Sequence, residues 1–467
     1  MTDDELTVDV VVIGAGPAGE VVAGRCGDGG LQTVIVEREL VGGECSYWGC
    51  IPSKTLIRPG DVLAAARRVP GAAQAVNGTL DVAAALARRD EMTSHWHDDG
   101  QLPWLAEHHV DLVRGVGRLT GPREVEVTAA DDSRRRLVAR RAVVVATGTR
   151  AAIPPIPGLA EAEPWDNRTA TQTSTLPRRL VAIGGGAVGC ELAQAFARMG
   201  VAVTLVEGGP RLLAREEPFA SDQVAAGLTA DGVRVLLGAA TTGVRRAADG
   251  EVTVDLADGT RLTADEILVA AGRRPATADL GLDTLDAGMH PGHPIEVDDQ
   301  QRAVAVPDGW LYAVGDANGR ALLTHMGKYQ ARIAADVILG KNAVDRASRN
   351  VIPRVTFTDP QVCAVGRTEA QAREDGVAVR VVEVATASVA GASTEGEDIA
   401  GSCRLVIDTD RDVVVGATFT GPAMAELLHS ATVAVAGGVP LGTLWHAVPS
   451  FPTVSEVWLK LLEEAGL

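Results

Sequence analysis

An α/β fold is predicted by three features of the 467-residue sequence. A Gly-x-Gly-x-x-Gly turn set between two apolar, β-branched runs occurs twice. Strand-like runs ending in glycine turns follow each occurrence, at Arg141–Gly148 and Ile267–Gly272. From about Pro353 the pattern changes to alternating strands followed by helices, which predicts a separate α+β segment.

The repeat comes first along the chain. Residues Val8 to Glu37 read VDVVVIGAGPAGEVVAGRCGDGGLQTVIVE, and Arg178 to Glu207 read RRLVAIGGGAVGCELAQAFARMGVAVTLVE. Each has a strand, the glycine turn, an Ala-rich helix, a second strand and a terminal Glu, so each predicts a Rossmann-like βαβ unit. Gly14, Gly16 and Gly19 form the first turn, and Gly184, Gly186 and Gly189 the second. Such glycines permit a sharp turn, close approach of a pyrophosphate and tight helix–strand packing, with the helix N-terminus favouring the phosphates. Glu37 and Glu207 end the second strands, placed to bond ribose hydroxyls. At Glu207 a carboxylate repels a 2′-phosphate, which favours NAD(H); Arg211 and Arg215 follow closely and keep NADP(H) open. Two such units imply two nucleotides, a tightly held flavin dinucleotide and a diffusible nicotinamide.

The elements between and after follow from turn signals. Pro154, Pro155 and Pro157 read as an extended crossover. Trp310–Asp316 reads as a strand delivering a carboxylate, Arg354–Thr358 and Arg411–Thr420 as strands, and Ala423–Ala436 as a helix. Ala390–Ser402, rich in Gly, Ala, Ser and Glu, reads as an exposed loop.

Composition narrows the function classes. Hydrophobic residues make up 46% and charged residues 22%, enough for a large core and against disorder. Aromatics are 3%, so that core is expected to be aliphatic. The net charge of -18 argues against nucleic acid or an anionic membrane as partner. The chain has no apolar run long enough for a membrane span. Its start, Met1-Thr2-Asp3-Asp4-Glu5-Leu6, is acidic and unlike a secretory leader, so a cytoplasmic setting is expected. Six cysteines are too few for a disulfide scaffold, so any disulfide is expected to do chemistry.

That chemistry points to Gly42-Gly43-Glu44-Cys45-Ser46-Tyr47-Trp48-Gly49-Cys50-Ile51-Pro52-Ser53-Lys54. Thiols five positions apart can close a small ring at a helix start, where the helix field favours the thiolate that exchanges with disulfides. Lys54 lies one turn after Cys50. Cys26, Cys190, Cys363 and Cys403 have no thiol neighbour and read as core or surface residues. Ser94-His95-Trp96-His97-Asp98-Asp99 has the composition of a metal cluster, but its spacing reads as a solvated polar segment, as does His108-His109; no metal site is expected.

Taken together, Gly14–Gly19, the Cys45/Cys50 segment, Ala146-Thr147-Gly148, Gly184–Gly189, Ala271-Gly272-Arg-Arg-Pro275 and Val314-Gly-Asp316 resemble, in order, a flavoprotein disulfide reductase of the lipoamide dehydrogenase, glutathione reductase and mercuric reductase type. The resemblance covers essentially the whole chain. It implies an FAD-binding domain in two parts, 1–150 and 276–347, an NAD(P)-binding domain at 151–275 and a dimerisation domain at 348–467. It also implies that Asp316 holds the flavin ribitol, that Thr147 and Gly148 line the flavin, and that Leu323-Thr324-His325 runs along it. Cys50 would face the flavin, Cys45 would meet the substrate, and Lys54 would pair with Glu191 near the reactive flavin nitrogen. The family is an obligate homodimer.

One departure stands out. Where the family carries His-Pro-Thr-x-x-Glu, this chain reads Phe451-Pro452-Thr-Val-Ser-Glu456. Phenylalanine carries no proton, and Glu456 lacks the imidazole it would orient. His446, five residues earlier, is a candidate replacement, with a surface histidine as the other reading. General acid–base help is worth about 10²–10⁴-fold in rate, so fast reduction of lipoamide or glutathione disulfide is not expected. Tyr47 and Trp48 are bulkier than the residues usual there and are expected to narrow the substrate side or stack on a flat substrate. The C-terminus has no cysteine pair, which by resemblance disfavours mercuric reductases and large thioredoxin reductases. The expected activity is an FAD-dependent reductase, driven by NADH with NADPH as the alternative, passing electrons through a Cys45–Cys50 disulfide to a small acceptor. Direct transfer from flavin to a quinone, or a flavin-binding redox sensor with little turnover, are the other readings.

Overall fold

A computed structural model describes residues 4–467; Met1, Thr2 and Asp3 of the acidic start lie outside them. The chain divides into two compact units, each built from separated stretches of sequence.

The first unit takes the described residues up to Pro52, Arg89–Ala151 and Arg273–Arg349. Its main sheet has seven strands. Val110–Arg114, Thr33–Glu37, Asp4–Ile13, Arg134–Val145 and Leu311–Ala313 run parallel, and Glu124–Thr128 and Val116–Gly121 extend it antiparallel. Val10, Val11 and Val12 are fully buried, as a parallel strand covered on both faces requires. The helix Pro17–Asp28 follows the first glycine turn. The strand expected at Trp310–Asp316 is shorter, Leu311–Ala313, because the chain turns into a 3-10 segment at Gly315–Asn318.

The second unit takes Ser53–Arg88, Ala152–Gly272 and Asn350–Leu467. Its parallel sheet runs Arg234–Leu236, Ala202–Val206, Arg179–Ile183, Glu266–Val269, with the helix Ala187–Arg198 after the second glycine turn. An antiparallel meander, Thr241–Arg246, Val252–Leu256 and Arg261–Ala264, accompanies it. A five-stranded antiparallel sheet, in the order Arg354–Thr356, Gln361–Gly366, Val413–Gly421, Ser402–Asp408, Val379–Ala385, carries the C-terminal part. Phe419, Cys403 and Leu405 of that sheet share one core with Leu427, Leu428 and Ala431 of the helix Met424–Gly437 and with Val457 and Leu461 of Val457–Glu464. No helix among the described residues is long and apolar enough to cross a membrane.

The loop expected over Ala390–Ser402 is only partly a loop. Ala390–Thr394 forms a helix, Gly391 and Ala392 are buried, and Ser402 already begins a strand. The small residues that read as flexible permit close packing instead: a Cβ on Gly391 would overlap the Thr453 backbone carbonyl. Gly391→Ala is therefore expected to destabilise the protein by about 2 kcal/mol, read as a lowered Tm. An unchanged melting curve would show that this approach is not tight.

Candidate functional site

The two glycine turns share one internal geometry. Gly14 has φ +104° and Gly184 φ +110°, values that L side chains rarely adopt. A Cβ at Gly14 would stand 2.5 Å from the Ala146 carbonyl oxygen, and one at Gly184 2.5 Å from that of Ala270. A Cβ at Gly19 or Gly189 would overlap the carbonyl oxygen of the turn's first glycine, whereas Gly16 and Gly186 face open space. The tail carboxylates repeat as well. Glu37 accepts from the Ala15 and Glu39 backbone N–H groups, both at 2.7 Å. Glu207 accepts from those of Gly185 and Gly209, both at 2.6 Å. Each acid thus clasps its own turn, with further lone pairs left for a ligand hydroxyl. Burial raises the Glu37 carboxyl above its usual range, opposed by the two N–H bonds. Arg211 spends its guanidinium on its own loop, donating to the Glu216 and Ala214 carbonyls at 2.7 Å.

Against the first turn lies the thiol segment. The Gly42 N–H donates to the Ala15 carbonyl at 2.8 Å. Gly42 and Gly43 have φ +109° and +60°, and a Cβ on Gly43 would meet the Gly16 Cα at 2.7 Å. Cys45 lies in the short helix Gly43–Tyr47, and Cys50 opens the helix Cys50–Arg68. Both are thiols in this structure. The two sulfurs hydrogen-bond to each other; that bond, then burial, then a negative charge on Cys50 push the Cys45 thiol upward, while Thr324 pulls it down. Thr324 Oγ1 donates to Cys45 Sγ at 3.2 Å and contacts Cys50 Sγ at 3.4 Å. The other four cysteines are buried, and desolvation pushes the Cys26 and Cys403 thiols up to about 12.

Tyr47 and Trp48 are buried rather than presented to a substrate. The segment read as polar explains Tyr47. Ser94, His95 and Trp96 all adopt left-handed backbone, φ +50° to +56°, a conformation costing about 1–2 kcal/mol per residue. Trp96 Nε1 donates to the Tyr47 carbonyl at 3.1 Å, and the Tyr47 hydroxyl donates to the His97 carbonyl at 3.4 Å. Asp98 accepts from the Val41 N–H at 2.7 Å and pairs with Arg114 at 2.6 Å. These residues brace the thiol loop.

The candidate flavin-lining groups also converge. Asp316 is held above the ordinary carboxylate range by burial and accepts from the Thr149 hydroxyl at 2.6 Å. Arg273 donates to Thr149 Oγ1 at 2.7 Å and pairs with Glu44 at 3.1 Å, so Asp316 and the residue beside Cys45 share one network. Sequence reading missed Thr149, Arg273 and Glu44; the only signal was their place beside motif glycines. Thr147 Oγ1 is buried without a partner among the described residues, beside Gly148, which faces open space. His325 is exposed next to Thr324. In the second unit, Lys54 pairs with Glu191 at 2.7 Å and lies 4.9 Å from the Phe357 ring centre. Glu191 also accepts from the Phe357 N–H at 2.8 Å. Gly272, φ +128°, has open space where a Cβ would stand. His446 is exposed, Phe451 is 75% exposed, and Glu456 Oε2 is buried with no hydrogen-bond partner among the described residues.

Residues 8–334 match the family model of pyridine nucleotide-disulphide oxidoreductases, and residues 352–462 match that family's dimerisation domain. The chain belongs to this family. It is 32% identical to a dihydrolipoyl dehydrogenase of Thermus scotoductus, covering 98% of this chain and 97% of that one. It is 28% identical to a mercuric reductase of Staphylococcus aureus, covering 96% and 80%. Among solved structures, the Cu(II) complex of the HOCl-induced flavoprotein disulfide reductase RclA from Escherichia coli is similar at 26% identity and TM-score 0.86, covering 98% and 99%. The protein is thus a flavin-dependent NAD(P)H oxidoreductase of the disulfide reductase type, in a family that uses FAD and NAD(P)H. The first turn fits a dinucleotide: its glycines leave room at Gly16, and the unpartnered Thr147 hydroxyl and buried Asp316 carboxylate suit a polar ligand.

Glu20, in the helix after that turn, is pushed up to about 7 by burial, with Lys328 lowering it and Glu37 raising it further. A folded-state pKa above the unfolded one means that stability is full below the usual carboxylate range and is lost as pH rises through about 7. Glu20→Gln is expected to raise the Tm at pH 8, by about 2 kcal/mol of stability, with the gain vanishing toward pH 5. A gain independent of pH would rule out this titration.

Proposed function

We propose that this protein is an NADH-driven reductase whose Cys45–Cys50 couple takes up two electrons and hands them to a small acceptor. The observation that carries this reading is the seating of the thiol segment on the first glycine turn, through the Gly42 N–H and the Gly43–Gly16 approach. FAD, when bound, supplies the two-electron exchange with the nicotinamide.

Residues 1–150 and 276–347 are assigned to FAD, with Gly14, Gly16, Gly19, Glu37, Thr147, Gly148, Asp316 and His325 as its contacts. Residues 151–275 are assigned to the nicotinamide dinucleotide, with Gly184, Gly186, Gly189, Glu207 and Gly272. The Glu207 carboxylate and the occupied Arg211 guanidinium both favour NADH. Lys54, held by Glu191, supplies the cation for the reactive flavin nitrogen. Residues 348–467 form a homodimer with a second copy, and the setting is the cytoplasm.

With a disulfide acceptor, the Cys45 thiolate attacks one sulfur, breaking the acceptor S–S bond and releasing one thiolate. The Cys50 thiolate then attacks Cys45 Sγ, closing the Cys45–Cys50 bond and releasing the second. Protonation of the leaving thiolates is the step a histidine would serve. Phe451 cannot serve it, and Glu456 Oε2 has no hydrogen-bond partner among the described residues. Exchange with ordinary disulfides is therefore slow, by about 10²–10⁴-fold relative to an acid-assisted site. A second reading, direct transfer from flavin to a flat acceptor such as a quinone, is favoured by the exposed apolar Phe451 and Val448, 75% and 83% exposed.

Two experiments test the proposal. Anaerobic titration with NADH is expected to give a long-wavelength thiolate–flavin absorbance after two electrons, absent in Cys50→Ser and reached far more slowly with NADPH. No such band in the parent protein would refute electron uptake by the sulfurs. Quinone turnover by Cys45→Ser decides between relay and direct transfer: loss supports relay, and unchanged turnover supports direct transfer.

A further inference from the structure

Thr324 opens the helix Thr324–Ile338 and touches both reacting sulfurs. Its Oγ1 lies 3.2 Å from Cys45 Sγ, with the hydroxyl as donor, and 3.4 Å from Cys50 Sγ, where either atom can donate. A hydroxyl has one proton to give and lone pairs with which to accept. It can therefore donate to one sulfur while accepting from the other, but it cannot donate to both. When the reduced couple holds a single proton, two arrangements satisfy this hydroxyl. In one, the Cys50 thiol donates to Thr324 and Thr324 donates to a Cys45 thiolate. In the other, the roles of the sulfurs are exchanged.

We propose that Thr324 is the proton carrier of the dithiol, interconverting these two arrangements. The proton on Cys50 Sγ passes to Thr324 Oγ1 as the hydroxyl proton passes to Cys45 Sγ. One S–H and one O–H bond break, one of each forms, and the negative charge moves from Cys45 to Cys50. No electrons change hands, so no oxidant or reductant is needed. The inference rests on the Cys45–Cys50 couple being the redox centre and adds a hydroxyl path for the proton beside the direct bond between the sulfurs. That path matters because the proposed relay needs a Cys45 thiolate to attack the acceptor and a Cys50 thiolate to close the ring. In a chain with phenylalanine at 451, the carrier sits on the sulfurs themselves. Thr324 donates to Cys45 Sγ and so favours its thiolate, against burial and the bond to Cys50, which push that thiol upward; removing the hydroxyl disfavours the Cys45 thiolate.

The test is alkylation of the reduced, flavin-loaded full-length protein by iodoacetamide at pH 7.5, with labelling of Cys45 and Cys50 resolved by peptide mass spectrometry. Removing the hydroxyl in Thr324→Val is expected to lower the Cys45-to-Cys50 labelling ratio about tenfold, the effect of one hydrogen bond to a thiolate. Thr324→Ser, which keeps the hydroxyl, is expected to restore the parent ratio. Thr324→Ala removes the hydroxyl without added bulk and decides the matter if the valine variant melts early or loses flavin. A parent-like ratio in Thr324→Ala, or a serine variant that behaves like alanine, would overturn the proposal. Labelling needs neither nicotinamide nor acceptor. A failed NADH titration would thus refute the electron route while leaving this result to stand or fall by itself.

Discussion

The close approach of two backbones sets the geometry of this protein's chemistry. The Gly42–Gly43 pair lies on the Ala15–Gly16 turn, held by one 2.8 Å hydrogen bond and by the absence of any Cβ between Gly43 and Gly16. Both glycines of the pair have left-handed backbone, so a side chain at either is strained whatever the room around it. From this seat Cys45 follows two residues later, in a helix too short to hold itself. Its shape is imposed from outside, by Trp96 on the Tyr47 carbonyl, by the Arg273 bond to Glu44, and by Thr324 on the sulfurs. The thiols are positioned by contacts from three distant stretches of chain rather than by their own segment.

The duplicated turn shows how a motif acid can have two duties. Glu37 and Glu207 each tie the strand they end to the preceding turn through one N–H bond, from Ala15 at 2.7 Å and Gly185 at 2.6 Å, and accept a second from the residue two positions on. A carboxylate so held is fixed in orientation and keeps further lone pairs with which to accept. Substitution at either position therefore alters the turn as well as any sugar contact. Glu20 and Lys328 add charge near the first of these turns.

Much of the site was legible because its residues are dictated by local backbone needs. Glycines at fixed spacing, a terminal acid and a thiol pair beside Gly-Gly are all written in short windows. The central strands and the helix at Met424–Gly437 followed from periodicity in the same way. The misreadings have one origin. Ala390–Ser402 consists of small and polar residues, a composition that suits solvent and tight packing equally well, whereas Ser94, His95, His97 and Asp99 are exposed as their composition suggests. Tyr47 and Trp48 carry no mark in the sequence of which way they face, and the buried side won.

The sequence alone determined the architecture class, the two dinucleotide turns and the thiol pair, because each depends on residue type at a short, fixed spacing. Only the tertiary structure decided which groups surround the sulfurs. Thr324 is 274 residues from Cys50, and Arg273 is 229 from Glu44. Such neighbours are set by how the sheets and helices of the first unit close on one another, and no local pattern encodes that closure.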